Sequence, residues 1–198
     1  MHYIFGYGSL ICGDSRSRTG VTANAYAIEV EGIARRWSAY IPSWSGTAVS
    51  AHLDPKSRCN GVYFAVDDEN LALFDEREYG YRRVALPWQA VMPLDQTPLP
   101  RDGTLWVYVG NSVDIPSPEK PILQSYLDVI INGCLDIDES FARRFIELTG
   151  QWGHLVNDRD APLYLRPLAR KSSTARIDEL LNKQLPAGVS DDYQGKPL

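Results

Sequence analysis

Tyr3-Ile4-Phe5-Gly6-Tyr7-Gly8-Ser9-Leu10-Ile11 runs an apolar strand straight into a loop that carries two glycines. The aromatic and β-branched residues ahead of Gly6 have the character of a buried strand. Gly6 and Gly8 are read as removing Cβ atoms that would hold a ligand away, and as permitting positive φ. Successive main-chain N–H groups in such a bend form a concavity suited to a carboxylate or phosphate. An ordinary tight turn uses the same residues, so the stretch alone leaves both readings open. It is not a dinucleotide fingerprint, because no third glycine opens a helix, nor a P-loop, because no Gly-Lys-Ser/Thr follows.

A second landmark is Leu73-Phe74-Asp75-Glu76-Arg77-Glu78-Tyr79-Gly80-Tyr81-Arg82-Arg83. Any one carboxylate here could belong to a solvated helix end stopped by Gly80. The run follows Gly61-Val62-Tyr63-Phe64-Ala65-Val66, a strand pattern, and Asp67-Asp68-Glu69-Asn70, a helix start. A helix over 68–78 sets Leu71, Phe74 and Glu78 on one face by their three- and four-residue spacing. Glu78 then continues the apolar stripe, which Asp75 and Glu76 do not. An inward carboxylate is costly unless it has partners or a task.

Tyr7-Gly8-Ser9-Leu10, Gly32-Ile33-Ala34-Arg35-Arg36-Trp37, Gly61-Val62-Tyr63 and Arg77-Glu78-Tyr79-Gly80-Tyr81-Arg82 occur in this order. In that order and spacing the chain resembles the γ-glutamylcyclotransferase superfamily, on the branch of the ChaC-like enzymes and the AIG2-like proteins. Tyr126-Leu127-Asp128-Val129-Ile130-Ile131-Asn132-Gly133-Cys134 and Phe141-Ala142-Arg143-Arg144-Phe145-Ile146-Glu147-Leu148-Thr149 resemble two helices of the same family. The likeness spans residues 2–150.

The resemblance implies a cyclisation: the α-amine of a γ-glutamyl group attacks its own side-chain carbonyl, and 5-oxoproline and an amine or peptide result. By the same resemblance Glu78 is the glutamate acid/base and Tyr126 an active-site tyrosine. A buried core aromatic is an equal reading of Tyr126. Tyr7, Gly8, Ser9 and Leu10 are expected at the substrate carboxylate, and Arg35 is expected to support the pocket while Arg36 meets solvent. Partial desolvation would raise the proton affinity of such a base, and Arg77 or Arg82 would oppose that, depending on orientation. No cofactor or metal is expected: the three cysteines and three histidines form no ligand spacing. The G-x-S-x-G spacing of a serine hydrolase is also absent. Where ChaC-like enzymes tend to carry a second glycine before the tyrosine, this chain has Tyr79, so glutathione is one substrate among several γ-glutamyl compounds. A non-catalytic relative that binds a small carboxylated ligand or a partner segment is the competing reading.

A net charge of −5 and a pI near 5.2 argue against a broad nucleic-acid surface. The sequence has neither a run of about 18 apolar residues nor a basic-then-apolar leader, so a cytoplasmic protein is expected. Strands are expected at 3–6, 26–41, 47–53, 60–66, 81–92 and 104–109. Helices are expected at 68–78, 118–134 and 138–149, with Ser117-Pro118 at the start of the second. This order indicates an α+β fold, a mixed barrel-like sheet with flanking helices. The organisation expected is a γ-glutamylcyclotransferase-like domain over 1–150, a C-terminal extension packed on it over 151–185, and a flexible tail over 186–198. Trp152 is read as an anchor and Asp158/Arg159 as a local ion pair. The weak stripe Ile177, Leu180 and Leu181 leaves a homodimer contact open.

Overall fold

A computed structural model describes residues 1–168, 174–187 and 189. Tertiary contacts divide the chain into two compact units, one of residues 1–35 and 51–111, the other of residues 36–50 and 112–198. The expected tail over 186–198 lies almost wholly outside the described residues.

The first unit is built on a sheet. In chain order it contains β1 (His2–Gly6), a short α1 (Gly13–Ser17), and parts of β2 (Ala25–Ile41) and β3 (Gly46–Val66). It continues with α2 (Asp68–Arg77), β4 (Arg82–Leu86), β5 (Val91–Pro93) and β6 (Thr104–Val109). The strand order is β4-β6-β1-β3-β2-β5. β1 is antiparallel to β3, with Ile4 opposite Phe64, and parallel to β6, with Ile4 opposite Trp106. The sheet is therefore mixed, as the α+β reading expects.

β3 meets β6 in parallel at Ala51, although its other end runs against β1. β3 is nonetheless one uninterrupted strand, so its direction changes gradually along its length. Within it the Asp54 carboxylate accepts from the Lys56 N–H at 3.1 Å and the Ser57 hydroxyl at 2.9 Å. The single strand expected over 81–92 is interrupted at Pro87. β4 pairs with β6, whereas β5 pairs with β2.

Side chains of paired strand residues share one face of a sheet. On one face Phe64 meets Phe74 of α2, ring centroids 5.4 Å apart. Tyr108 and Arg83, opposite each other in register, both reach Asp75 of the same helix. α2 starts where the Asp67 carboxylate accepts from the Asn70 N–H at 2.8 Å, a side-chain N-cap. It buries Leu71 and Phe74 and ends before Gly80, at φ +98°. That left-handed conformation suits glycine.

The second unit contains β7 (Ile122–Leu123), α3 (Gln124–Ile137), α4 (Glu139–Glu147), β8 (Thr149–Gly150), β9 (Leu155–Val156) and α5 (Thr174–Gln184). The second expected helix begins six residues later than read, at Gln124. Ser117 and Lys120 exchange backbone hydrogen bonds, and Ile122-Leu123 pairs in parallel with Leu155-Val156, so the stretch after Pro118 is not helical. α3 is apolar nearly all round and buried accordingly. α4 packs Phe141, Ala142, Phe145 and Ile146 inward, and α5 covers α3 and α4 with Ile177, Leu180 and Leu181. The stripe read as open to a dimer contact is thus used within the chain.

Candidate active site

β1 delivers the glycyl loop. After Gly6 the chain enters a single 3-10 turn over Ser9–Ile11, whose own bonds begin with Ile11 N–H to Gly8 O at 2.9 Å and Cys12 N–H to Ser9 O at 3.2 Å. The N–H groups of Ser9 and Leu10 precede these bonds and are not consumed by the turn. Gly6 and Gly8 do not use the positive φ that the sequence reading allowed them; among the described residues the glycines that do are Gly32, Gly80 and Gly103. Gly6 is required by packing instead. A Cβ there would lie 2.8 Å from the Leu10 Cβ, so the absent side chain lets the loop fold back on its strand.

Two arginines hold this loop from within the fold. Arg35 is 1 % exposed and donates to Tyr7 O at 3.1 Å, Asn60 O at 2.7 Å and Asn60 Oδ1 at 2.9 Å. It braces the backbone of the loop's first residue. Arg16 donates to Leu10 O at 2.8 Å and Ile11 O at 2.7 Å, with its guanidinium over the Phe64 ring. The Tyr7 side chain is buried and donates from its hydroxyl to Tyr108 O at 2.6 Å. Only the backbone of Tyr7 is then turned to the loop.

Glu78 stands just past the last turn of α2, its N–H still bonded to Phe74 O at 2.9 Å. That bond keeps it in helical register below Phe74. Its side chain is 18 % exposed, against 42 % for Asp75. Glu78 Oε1 lies 3.2 Å from Arg77 Nε. Arg77 also donates to Ser9 Oγ at 3.1 Å, Ser15 Oγ at 3.1 Å, Ser15 O at 2.9 Å and Thr19 Oγ1 at 2.6 Å. One guanidinium therefore touches both the carboxylate and the serine of the glycyl loop. Arg82, the other arginine weighed beside Glu78, is exposed.

Sequence reading did not single out Tyr81, nor Ser15 and Thr19, which accept from Arg77 alongside Ser9 and Glu78. Burial, and then the charge of Glu78, pushes the Tyr81 phenol up. It stays protonated and is a hydroxyl donor beside the carboxylate. Tyr79 is 92 % exposed, so its ring does not narrow the interior beside Glu78. One turn earlier on α2, Asp75 accepts from Tyr108 Oη at 2.8 Å and pairs with Arg83, whose guanidinium lies 4.7 Å from the Trp106 ring centre. Burial, then that bond to Asp75, pushes the Tyr108 phenol up as well. This clasp fixes the C-terminal turn of the helix that carries Glu78.

The glycyl bend, its two arginine braces and the acidic residue after α2 all lie within residues 4–127. The model of the family described as gamma-glutamyl cyclotransferase, AIG2-like, matches residues 4–127. The chain belongs to that family.

Solved structures agree on the fold. A structure titled gamma-glutamyl cyclotransferase is 15 % identical, with a TM-score of 0.59, covering 81 % of this chain and 96 % of the other. An uncharacterized protein from Homo sapiens is also 15 % identical, with a TM-score of 0.55 and the same two coverages. YkqA from Bacillus subtilis is 18 % identical, with a TM-score of 0.52, covering 74 % of this chain and 55 % of its own. No curated protein matches the chain in sequence.

Tyr126 belongs to the second unit. It sits in α3 within an aromatic cluster, ring centroids 4.9 Å from Tyr164, 5.2 Å from Trp44 and 5.9 Å from Trp37. Trp152 extends the cluster to Trp37 and donates to Ile146 O, anchoring its loop. The pair expected between Asp158 and Arg159 is replaced by two separate sets of bonds. Asp158 accepts from the Ser125 N–H at 2.7 Å and hydroxyl at 2.6 Å, capping α3 from a distant segment. Arg159 grips Asp128 at 2.6 and 2.7 Å and Asp178 at 2.7 Å. A cavity of about 230 Å³ opens beside these groups, lined by Ser125, Asp128, Asn157, Arg159 and Pro162 among others, and neither the glycyl bend nor Glu78 lines it. Cys12, Cys59 and Cys134 are buried thiols. Among the described residues no helix is long and apolar enough to cross a membrane.

Proposed function

We propose that the protein is a γ-glutamyl cyclotransferase that releases 5-oxoproline from a γ-glutamyl peptide or amine. Glu78 would be its acid/base, and the backbone of Gly8, Ser9 and Leu10 its carboxylate cradle. The observation that carries this reading is the shared guanidinium: Ser9 Oγ and Glu78 Oε1 lie 3.1 and 3.2 Å from the same side chain. The cradle and the carboxylate, 69 residues apart in sequence (78 minus 9), thus belong to one local constellation.

The reaction asks for little beyond this. The N–H groups of Ser9 and Leu10 bind the α-carboxylate of the substrate, which leaves its α-ammonium facing Glu78. Glu78 takes one proton from the ammonium, and the freed nitrogen attacks the γ-carbonyl carbon. A C–N bond closes the five-membered ring. As the tetrahedral centre collapses, the amide C–N bond breaks and Glu78 returns that proton to the leaving nitrogen; the ring nitrogen then gives up its second proton through Glu78 to the released amine, leaving a neutral lactam N–H. We assign the Tyr81 hydroxyl, neutral near Glu78, as a donor to the oxyanion. Holding carboxylate and amine together keeps the chain folded for attack, which removes most of the entropic barrier of ring closure. Arg35 serves binding indirectly, by fixing the Tyr7 carbonyl and so the start of the cradle.

The test is product formation from glutathione, γ-glutamyl amino acids and γ-glutamyl-lysine. We expect 5-oxoproline from at least one of them, with Glu78→Gln folded and at least about a hundredfold slower. Saturable binding with no turnover across the panel would instead identify a binding module of the same fold.

A further inference from the structure

We infer that Arg77 is the positioning residue of this site: it sets the Glu78 carboxylate and the Ser9 end of the glycyl loop at a fixed separation, and it holds Glu78 as the anion. The inference rests on the cyclotransferase reading for its kinetic consequences only. Adjacent residues 77 and 78 need not interact, and a long basic side chain at a helix end ordinarily reaches water. Here the Arg77 side chain is only 6 % exposed. Its guanidinium meets five oxygens from three segments: the Ser9 hydroxyl, the carbonyl and hydroxyl of Ser15, the Thr19 hydroxyl and the Glu78 carboxylate.

Four of these five acceptors are neutral. In this set the charge of the guanidinium is therefore matched by Glu78 alone. Of the titratable groups near that carboxylate, Asp75, one turn back on α2, pairs with Arg83, and Tyr81 stays neutral. A planar fork with five donors can span oxygens on several sides, whereas an ammonium presents three donors from one point. The residue thus carries two separable properties, a charge and a shape. The charge keeps Glu78 ionised, ready for a substrate ammonium. The shape ties loop, α1 and the end of α2 into one frame.

Three full-length variants separate these properties. Arg77→Ala removes both, Arg77→Gln keeps reach without charge, and Arg77→Lys keeps charge without the fork. Titration of Glu78 is followed through its labelled carboxyl carbon by NMR, alongside thermal melting and the pH profile of kcat/KM. In Arg77→Ala the Glu78 midpoint should rise by about one pH unit or more, because the neighbouring cation favoured its charged form. The acid limb of activity should move to higher pH with it. Millimolar guanidinium should reverse both changes saturably by refilling the vacated space, and methylammonium should not. Arg77→Lys should leave the midpoint near that of the wild type but raise KM several-fold, because the cradle loses its tie. Should Arg77→Ala not fold, Arg77→Gln carries the titration.

A folded neutral variant in which Glu78 titrates as in the wild type would overturn the inference, as would wild-type KM in Arg77→Lys. A wild-type protein that makes no 5-oxoproline would remove the proposed reaction, yet the carboxyl titration would still decide the role of Arg77.

Discussion

Arg77 in the first unit and Arg159 in the second are both largely buried, with side chains 6 % and 18 % exposed, yet their surroundings differ in kind. Arg159 is gripped by two carboxylates, Asp128 through two parallel bonds and Asp178 through a third. Burial pushes the Asp128 carboxyl up, against Arg159 and Gln124, which favour its charged form. Negative charge matches or exceeds positive charge there, and the network joins the Arg159 loop to α3 and α5. Around Arg77 one carboxylate sits among neutral hydroxyls and a carbonyl. The first arrangement closes on itself and is suited to holding segments together. The second leaves a carboxylate beside a loop whose N–H groups are not used by its own turn, and that is suited to a ligand bearing both a carboxylate and an ammonium.

The contrast can be broken from either side. Arg159→Met should cost about 3 kcal/mol in urea unfolding, because it leaves Asp128 buried without its main partner. A loss below roughly 1 kcal/mol, the scale of an exposed pair, would make the second network no more than surface decoration. Gly6→Ala should cost about 1–3 kcal/mol, since a Cβ 2.8 Å from that of Leu10 forces backbone or loop to shift. Its KM should rise more than its kcat falls, because the displaced element is the cradle. Equal melting of Gly6→Ala and wild type would show that the loop does not fold back on β1 as described.

The smallest effect concerns a helix end away from both arginines. The Asp138 carboxylate accepts from the Phe141 N–H at 2.7 Å and the Ser140 hydroxyl at 2.8 Å, which holds its carboxyl below the usual range. Asp138→Ala should cost about 1 kcal/mol at neutral pH, as for other N-caps. A carboxyl with a lowered folded-state value stabilises above its unfolded value, about 4, and loses that contribution as pH falls through the folded one. The deficit of Asp138→Ala should therefore shrink in acid. A deficit constant from neutral pH down to strong acid would mean that the cap bonds do not depend on the charged carboxylate.

Much of the first unit is legible along the chain because its signals are local. Tyr3-Ile4-Phe5 reads as β1, and Leu71, Phe74 and Glu78 fall on one stripe because three- and four-residue spacing is a property of the helix itself. What escapes is set by distant partners. The neutral acceptors of Arg77 lie about sixty residues upstream, and one is a backbone carbonyl with no side-chain signature. Gly6 reads as a conformational device, but its reason is the approach of Leu10, four residues on. Pro118 reads as a helix start, yet parallel pairing of Ile122-Leu123 with Leu155-Val156 delays α3 to Gln124. Asp158 beside Arg159 reads as a pair, although each finds a different carboxylate or helix end in space. Local pattern predicts elements; it does not say which neighbour will claim a polar side chain.

The most direct measurement compares 5-oxoproline and free amine released by the wild-type protein and by Glu78→Gln across a panel of γ-glutamyl compounds, with melting curves recorded for both. The account predicts equimolar release of the two products by the wild type from at least one compound, and a folded variant at least about a hundredfold slower. A folded Glu78→Gln that cyclises as fast as the wild type would contradict it.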